Sequence, residues 1–187
     1  APSFSSGGCI VTTIAISVII LAGGRGERLG GRDKAMLQVQ GQPLAQRAID
    51  ALAPLSDDVI VVRRADQTLV VSGARVVADL APHQGVLAGI AAGLEAARRE
   101  WALVVACDMP FLNLAFIRYM VALAAAAPDL AAVVPQLDVG QEPLHALYHK
   151  RCLPSLHRVL VAGERRVRGF YAALPTRYIL ESEIRAF

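Results

Sequence analysis

Zinc-site and disulfide patterns are missing from this sequence. Its three cysteines, Cys9, Cys107 and Cys152, form no C-x-x-C pair and have no histidine at zinc-finger spacing, so neither a structural zinc site nor a disulfide framework is indicated. Aromatic residues are scarce, 5% against 55% hydrophobic residues in all, which leaves Ala, Val, Leu and Ile to build the core. Such a core is the usual filling of buried parallel strands covered by helices. A strong excess of one charge is missing too: 19 basic and 16 acidic side chains leave +3, with a pI near 9.0. That balance suits small anionic ligands and falls short of the basic face of a nucleic-acid binder. The apolar run from Cys9 to Ala22 spans fourteen residues, too few to cross a bilayer, and no basic residue precedes it as in a signal peptide. Neither nucleic acid nor membrane is expected as a partner, and a cytoplasmic location is expected.

With 187 residues the chain suffices for one well-buried domain. Residues 1–15 fit no element of the later pattern and read as an N-terminal extension or an expression remnant; residues 16–187 read as a single domain. Within it, β-branched runs alternate with helical periods. Ile16 to Leu21 reads as a buried strand ending in a Gly-rich loop, Pro43 opens a helix to about Leu52, and Val59 to Val62 is the next strand. A strand at Arg75 to Ala78 leads to a helix from about Leu87 to Arg99, then a fourth strand at Trp101 to Ala106. Asn113 is an N-cap candidate for a helix to about Ala127. Strands at Ala131 to Val134 and Leu144 to Tyr148 and a helix at Pro154 to Val161 follow. The implied fold is α/β, a three-layer sandwich with a mostly parallel sheet. In such folds ligands bind beyond the carboxyl ends of the strands.

The loop after the first strand runs from Ala22 to Lys34 and holds five glycines in the nine residues Gly23 to Gly31. Glycines let backbone N–H groups approach an anion closely, and Arg25, Arg28, Arg32 and Lys34 add positive charge. The pattern suits a polyphosphate. A dinucleotide fingerprint starting at Gly24 fails because Leu29 stands where glycine is needed, and a Walker loop fails because no Gly-Lys pair closes it. The fourth strand ends in Ala106-Cys107-Asp108-Met109-Pro110. A carboxylate at the carboxyl tip of a central strand, in the same layer as the glycine loop, suits Mg²⁺ held against triphosphate oxygens. An isolated Asp-x-Pro turn is also an ordinary structural feature; the glycine loop beside it favours Asp108 as metal ligand. Cys107 has no local histidine partner and reads as a small buried residue.

These blocks resemble the molybdenum cofactor guanylyltransferases. The resemblance is carried by L-A-G-G at Leu21 to Gly24, G-G-R-D-K-A at Gly30 to Ala35 and G-V-L-A-G-I at Gly85 to Ile90. It continues through C-D-M-P-F-L at Cys107 to Leu112, P-L-H-A-L-Y at Pro143 to Tyr148 and A-G-E-R-R-V at Ala162 to Val167. It runs from about Ile16 to Phe187 and implies a Rossmann-like nucleotidyltransferase fold that joins GMP from GTP to molybdopterin carrying molybdenum, with release of pyrophosphate. Carried over by position, it implies that Leu21, Ala22, Gly23 and Gly24 contact the nucleotide, that Lys34 meets the triphosphate, that Asp79 contacts the nucleotide and that Asp108 binds both nucleotide and Mg²⁺. Molybdenum-insertion and molybdoenzyme-maturation proteins are the implied protein partners. The Gly23-Gly24 pair, where cytidylyl relatives tend to have Ala-Gly, resembles the guanine-using version. Two departures stand out: Val61-Val62-Arg63-Arg64 occupies the place where guanylyl members often show an Asn, and the chain stops at Phe187, where members usually continue into an Asn-rich segment.

The expected chemistry needs no protein nucleophile, which agrees with the absence of a Ser/His/Asp or Cys/His arrangement. An anionic acceptor phosphate attacks the α-phosphorus directly once charge is neutralised and the groups are in line. Lys34, Arg28 and Asp108 with Mg²⁺ are the expected catalytic groups. The chain divides into a nucleotide half, about 16–110, and an acceptor half, about 111–187, where His145, Arg165 and Arg166 are the acceptor candidates. Other readings are cytidylyl transfer to molybdopterin, guanylyl transfer to another phosphorylated acceptor such as cobinamide phosphate, and a catalytically silent nucleotide-binding module. A nicotinamide-dependent oxidoreductase is disfavoured by the failed fingerprint.

Overall fold

Side chains alternate across the faces of a strand, and here both faces of the buried strands are apolar, so the sheet must be covered on both sides. The computed structural model, which describes residues 14–26, 32–79, 85–109, 112–164 and 166–187, has that arrangement. Its main strands are β1 (Ile16–Leu21), β2 (Val59–Arg63), β3 (Arg75–Ala78), β4 (Trp101–Ala106), β5 (Ala132–Leu137), β6 (Gly140–Gln141), β7 (His145–His149) and β8 (Thr176–Leu180). The helices are α1 (Leu44–Leu52), α2 (Val86–Ala96), α3 (Leu114–Ala126), α4 (Leu153–Val161), α5 (Arg168–Tyr171) and α6 (Glu181–Ile184). The sheet order is β8-β5-β7-β4-β1-β2-β3, with β6 extending the β5–β7 hairpin. β1 pairs in parallel with β2 and β4, β2 with β3, and β5 with β8, whereas β7 runs antiparallel to both β4 and β5. The sheet is therefore mostly parallel, as the sequence led us to expect.

Val18, Ile20, Val61, Leu103 and Val105 face α1 and α3 in one apolar layer. Ile19, Ile60, Val62, Val104 and Tyr148 face α2, α4 and α5 in the other. The centre of α2 lies very close to β1: a Cβ built on Gly93 would stand 2.5 Å from Ile19 Cγ2, a separation no real side chain tolerates, so glycine is required there. Asn113 caps α3 as expected, its side chain accepting from the N–H groups of Ala115 and Phe116.

Differences from the sequence reading have local causes. α2 ends at Ala96 rather than Arg99, because the backbone N–H of Arg98 donates to Asp58 Oδ2 (2.9 Å) and that of Arg99 to Ser17 Oγ (3.1 Å). Those donors would otherwise have continued the helical ladder. β5 extends to Leu137, since β6 and β8 supply partners beyond Val134. β8 itself, with Ile179 its one fully buried residue, and the four-residue helices α5 and α6 are additions to the sequence reading. Among the described residues no helix is long and apolar enough to cross a membrane.

Candidate nucleotide site

Four parallel strands, in the order β4-β1-β2-β3, end at one edge of the sheet, and their tips position the site. Beyond Leu21, the Ala22 N–H still donates to Val62 O (2.8 Å), and the Cys107 N–H donates to Leu21 O (3.1 Å). These bonds hold the three strand tips together at the point where the glycine loop departs. The backbone of Arg25–Gly26 pairs antiparallel with Arg32–Asp33, and a single 3-10 turn at Lys34–Met36 follows. A cleft of about 510 Å³ opens over this edge, lined among others by Leu21, Gly23, Gly24, Lys34, Arg63, Arg64, Asp79, Cys107, Asp108 and Leu144. Its size is that of a small-molecule site.

At the β4 end of the cleft, Lys34 Nζ donates to Asp108 Oδ2 at 3.0 Å, with the two side chains 37% and 40% exposed. A cation from the glycine loop and a strand-end carboxylate thus meet across 74 residues of sequence. At the β3 end, the Asp79 N–H donates to Arg63 O (2.8 Å), while its Oδ1 is buried with no hydrogen-bond partner. Burial raises the Asp79 carboxyl above the usual aspartate range, against the lowering influence of the Ala65 N–H and the Arg64 charge. An orphaned buried acceptor is costly, and the residue that carries this one is part of the cleft wall. β4 and β3 are three strand spacings apart, roughly 14 Å at about 4.8 Å each, a span suited to a nucleoside triphosphate.

The structure brings Leu21, Gly23, Gly24, Lys34, Asp79 and Asp108 to the cleft wall. Ala22 is fully buried just behind it. Arg28 and Arg165 lie outside the described residues. Arg166 lines a second cavity of about 400 Å³ together with Gln136, Gly140, Gln141, Pro143, Val167, Arg168 and Tyr171. Pro143 lines this cavity and its chain neighbour Leu144 the first. His145 lines neither of them: it extends into the α3 layer, edge-on to Phe116 at 5.6 Å, where burial lowers the affinity of its ring for a proton. Cys107 is 5% exposed, in keeping with a packing residue. Sequence reading did not select Arg64, Gln67, Tyr171 or Gln141; the Arg63-Arg64 departure was the one signal pointing toward the first two.

Among the described residues no group of three or more His, Cys, Asp or Glu side chains is arranged to hold a metal ion. A protein-only cage is therefore missing there. The cleft does carry the donor set that Mg²⁺ takes in company with a polyphosphate, one or two carboxylates with the remaining ligands from phosphate and water.

A mostly parallel sheet with a glycine-rich loop after β1 and a carboxylate at the tip of β4 defines a nucleotide-binding transferase of the Rossmann-like type. Comparison with known proteins narrows this class. Residues 18–178 match the model of the MobA-like NTP transferase domain. A molybdenum cofactor guanylyltransferase of Pseudomonas putida is 42% identical over 81% of this chain and 80% of its own length. One from Desulfosudis oleivorans is 36% identical over 92% and 84%. The crystal structure of molybdopterin-guanine dinucleotide biosynthesis protein A from Archaeoglobus fulgidus superposes with a TM-score of 0.76 at 24% identity, covering 92% of this chain and 87% of that one. That of 2-C-methyl-D-erythritol 4-phosphate cytidylyltransferase from Thermus thermophilus superposes at 0.66 and 19%, covering 89% of each chain; both share the fold. The chain belongs to the MobA-like NTP transferase family.

Proposed function

We propose that this protein transfers GMP from GTP to molybdopterin carrying molybdenum, forming the guanine dinucleotide cofactor and releasing pyrophosphate. The observation that carries the reading is the cleft with the Lys34–Asp108 pair at its β4 end and the partnerless Asp79 oxygen at its β3 end. The triphosphate belongs at the first end and the base at the second. Guanine presents adjacent N1–H and N2–H donors on its pairing edge, which match the two oxygens of one carboxylate. Cytosine presents a donor beside an acceptor, so a carboxylate pairs with only one of the two. Asp79 therefore favours GTP over CTP.

Asp108 would hold Mg²⁺, and the ion would neutralise phosphate charge as the bond from the α-phosphorus to the bridging oxygen breaks. Lys34 carries positive charge to the same phosphates, with Arg28 as a further cation of the loop. Gly23 and Gly24 keep side chains out of the nucleotide's path. The acceptor's terminal phosphate oxygen bonds to the α-phosphorus, and no group on the protein is covalently modified. The second cavity, with Arg166 and Arg168 at its wall and Arg165 beside them in sequence, suits the anionic acceptor.

Pyrophosphate release, measured for each of the four nucleoside triphosphates with Mg²⁺ and molybdenum-loaded molybdopterin, tests the reading. GTP is expected to be used in preference to CTP. Equal use of both would remove the guanylyl assignment and leave the nucleotidyltransferase class in place.

A further inference from the structure

Gln67 is one of very few buried polar residues among those described, 5% exposed, and it does not line the cleft. Both ends of its carboxamide are engaged. Oε1 accepts from the Arg64 backbone N–H (3.1 Å), and Nε2 donates to the carbonyl of Ala22 (3.2 Å), the first residue of the glycine loop. Arg64 takes the next carbonyl: its Nη1 donates to Gly23 O at 3.1 Å, while its Nε is held by Asp66 Oδ1 at 2.9 Å. Arg63 Nη1 ties the same turn to itself by donating to the carbonyls of Arg64 (2.7 Å), Ala65 (2.9 Å) and Gln67 (2.8 Å). The turn from residue 63 to 67 is thus a rigid body that grips two successive carbonyls of the loop. The fit is close, since a Cβ on Gly23 would come within 3.2 Å of Arg64 Cγ, whereas one on Gly24 would meet nothing within 4 Å.

In a trans peptide the C=O of one residue and the N–H of the next point in opposite directions. A carbonyl held toward the turn therefore turns the following N–H away from it. We infer that Gln67 and Arg64 are positioning residues that hold the Ala22 and Gly23 carbonyls back, and so aim the Gly23 and Gly24 N–H groups at the nucleotide. Without this grip the glycines, which have little intrinsic backbone preference, would let either peptide flip and present a carbonyl to an anionic ligand. The inference rests on the nucleotide reading of the cleft and adds residues that make no contact of their own with the reacting atoms.

Gln67 is the residue to test, because Arg64 lines the cleft itself. Gln67→Met preserves size and removes both hydrogen bonds. Gln67→Glu preserves shape and the acceptor for Arg64, but sets a carboxylate against the Ala22 carbonyl. The measurements are GTP affinity by calorimetry and the amide signals of Gly23 and Gly24 in ¹⁵N-glycine-labelled protein titrated with GTP. In the unmodified protein both signals should shift on binding. In Gln67→Met affinity should fall about ten- to hundredfold, with the two signals broadened or displaced before ligand is added. Affinity of Gln67→Glu, relative to the unmodified protein, should recover as pH falls and the carboxyl regains a proton to donate. A purely structural role would lower the melting temperature of both variants and produce no such pH-dependent recovery. Unchanged GTP affinity in Gln67→Met would overturn the positioning role alone. Failure of the unmodified protein to bind any nucleoside triphosphate would overturn the nucleotide reading and the positioning role with it.

Discussion

Lys34 Nζ and Asp108 Oδ2 lie 3.0 Å apart at the tip of β4, each side chain more than a third exposed. Solvent screens a pair this open, so it is worth only about 0–1 kcal/mol to the fold. On the proposed reading, its value lies in poising a cation and a carboxylate where a metal-bound triphosphate would separate them. Asp108→Asn should accordingly abolish metal-dependent turnover while leaving the melting temperature nearly unchanged. Lys34→Ala should lower kcat by more than it weakens GTP binding, since the charge it meets grows as pyrophosphate departs. Single-turnover pyrophosphate release beside a thermal melt checks both; near-normal rates in the two variants would place the chemistry elsewhere.

On the proposed reading, Asp79 should make base choice depend on pH. Burial holds its carboxyl protonated to a higher pH than an ordinary aspartate, and pairing with the two guanine donors requires the ionised form. GTP affinity should therefore decline on acidification, beginning above the usual aspartate range, because the proton must leave before the base can bind. In Asp79→Asn this part of the profile should be flat, and GTP affinity should fall by about 1–3 kcal/mol. The same variant should gain affinity for xanthosine triphosphate, whose base has an oxygen where guanine has the N2 amino group. Titrations of both nucleotides across pH would show the exchange, and an Asp79→Asn variant that binds GTP as before would remove Asp79 from base recognition.

What could be read in advance follows from what is local. The strands β1, β2 and β4 are short runs of apolar residues buried on both faces, so their extent and direction were legible, as was the site edge they define. Lys34 and Asp108 were legible as candidates because a phosphate loop and a strand-tip carboxylate are local patterns, and the structure brings the two together at the cleft wall. β8 was not, since Thr176, Arg177 and Tyr178 are only partly buried and the strand exists through pairing with β5. The end of α2 is set by Ser17 and Asp58, residues distant in sequence. The grip of Gln67 on Ala22 spans 45 residues and leaves no trace in any window of the chain. Arg166 was selected for its charge, whereas the cavity it shares with Gln136, Gln141 and Tyr171 depends on how β5, β6 and α5 come together.

Asp58 should be the most sensitive single polar position for stability. Its side chain is 1% exposed. It accepts from Ser17 Oγ (2.6 Å), from Arg75 Nη2 (2.6 Å) and from the Arg98 N–H (2.9 Å), joining β1, β3 and the end of α2. Burial alone would raise its titration, but these donors prevail and hold it below the usual aspartate range. A carboxyl so depressed contributes stability that is complete above its unfolded-state pKa and is lost as pH falls through the lower folded value. Asp58→Ala strands the Ser17 hydroxyl and the Arg98 N–H and should cost about 3–5 kcal/mol. Denaturant unfolding near neutral pH and in acid should show that this cost narrows below the depressed value. A loss under about 1 kcal/mol would mean that water replaces the carboxylate at the sheet's edge.

The acceptor side offers a test independent of the nucleotide. Every described residue lining the first cleft except Leu144 comes before position 110, and every residue lining the second cavity comes after position 130. Pro143 of the second cavity and Leu144 of the first are consecutive in the chain. Arg166 and Arg168 stand at the wall of the second cavity, and a guanidinium grips phosphate through two parallel hydrogen bonds. Tyr171 donates to Gln141 Oε1 at 2.9 Å across the same cavity, which fixes the wall against which a pterin would lie. Removing both charges, Arg166→Ala with Arg168→Ala, should raise the KM for molybdopterin about ten- to hundredfold, since hydrogen bonds to charged groups contribute about 1.5–3 kcal/mol. GTP affinity should stay within about twofold, because no lining residue of the cleft changes and intervening solvent screens the distant charges. The measurement is a pair of titrations on the double variant, one of GTP binding and one of acceptor saturation. A fall in GTP affinity with acceptor saturation unchanged would reverse the assignment of the two cavities, and no change in either would return both arginines to the role of solvated surface charge.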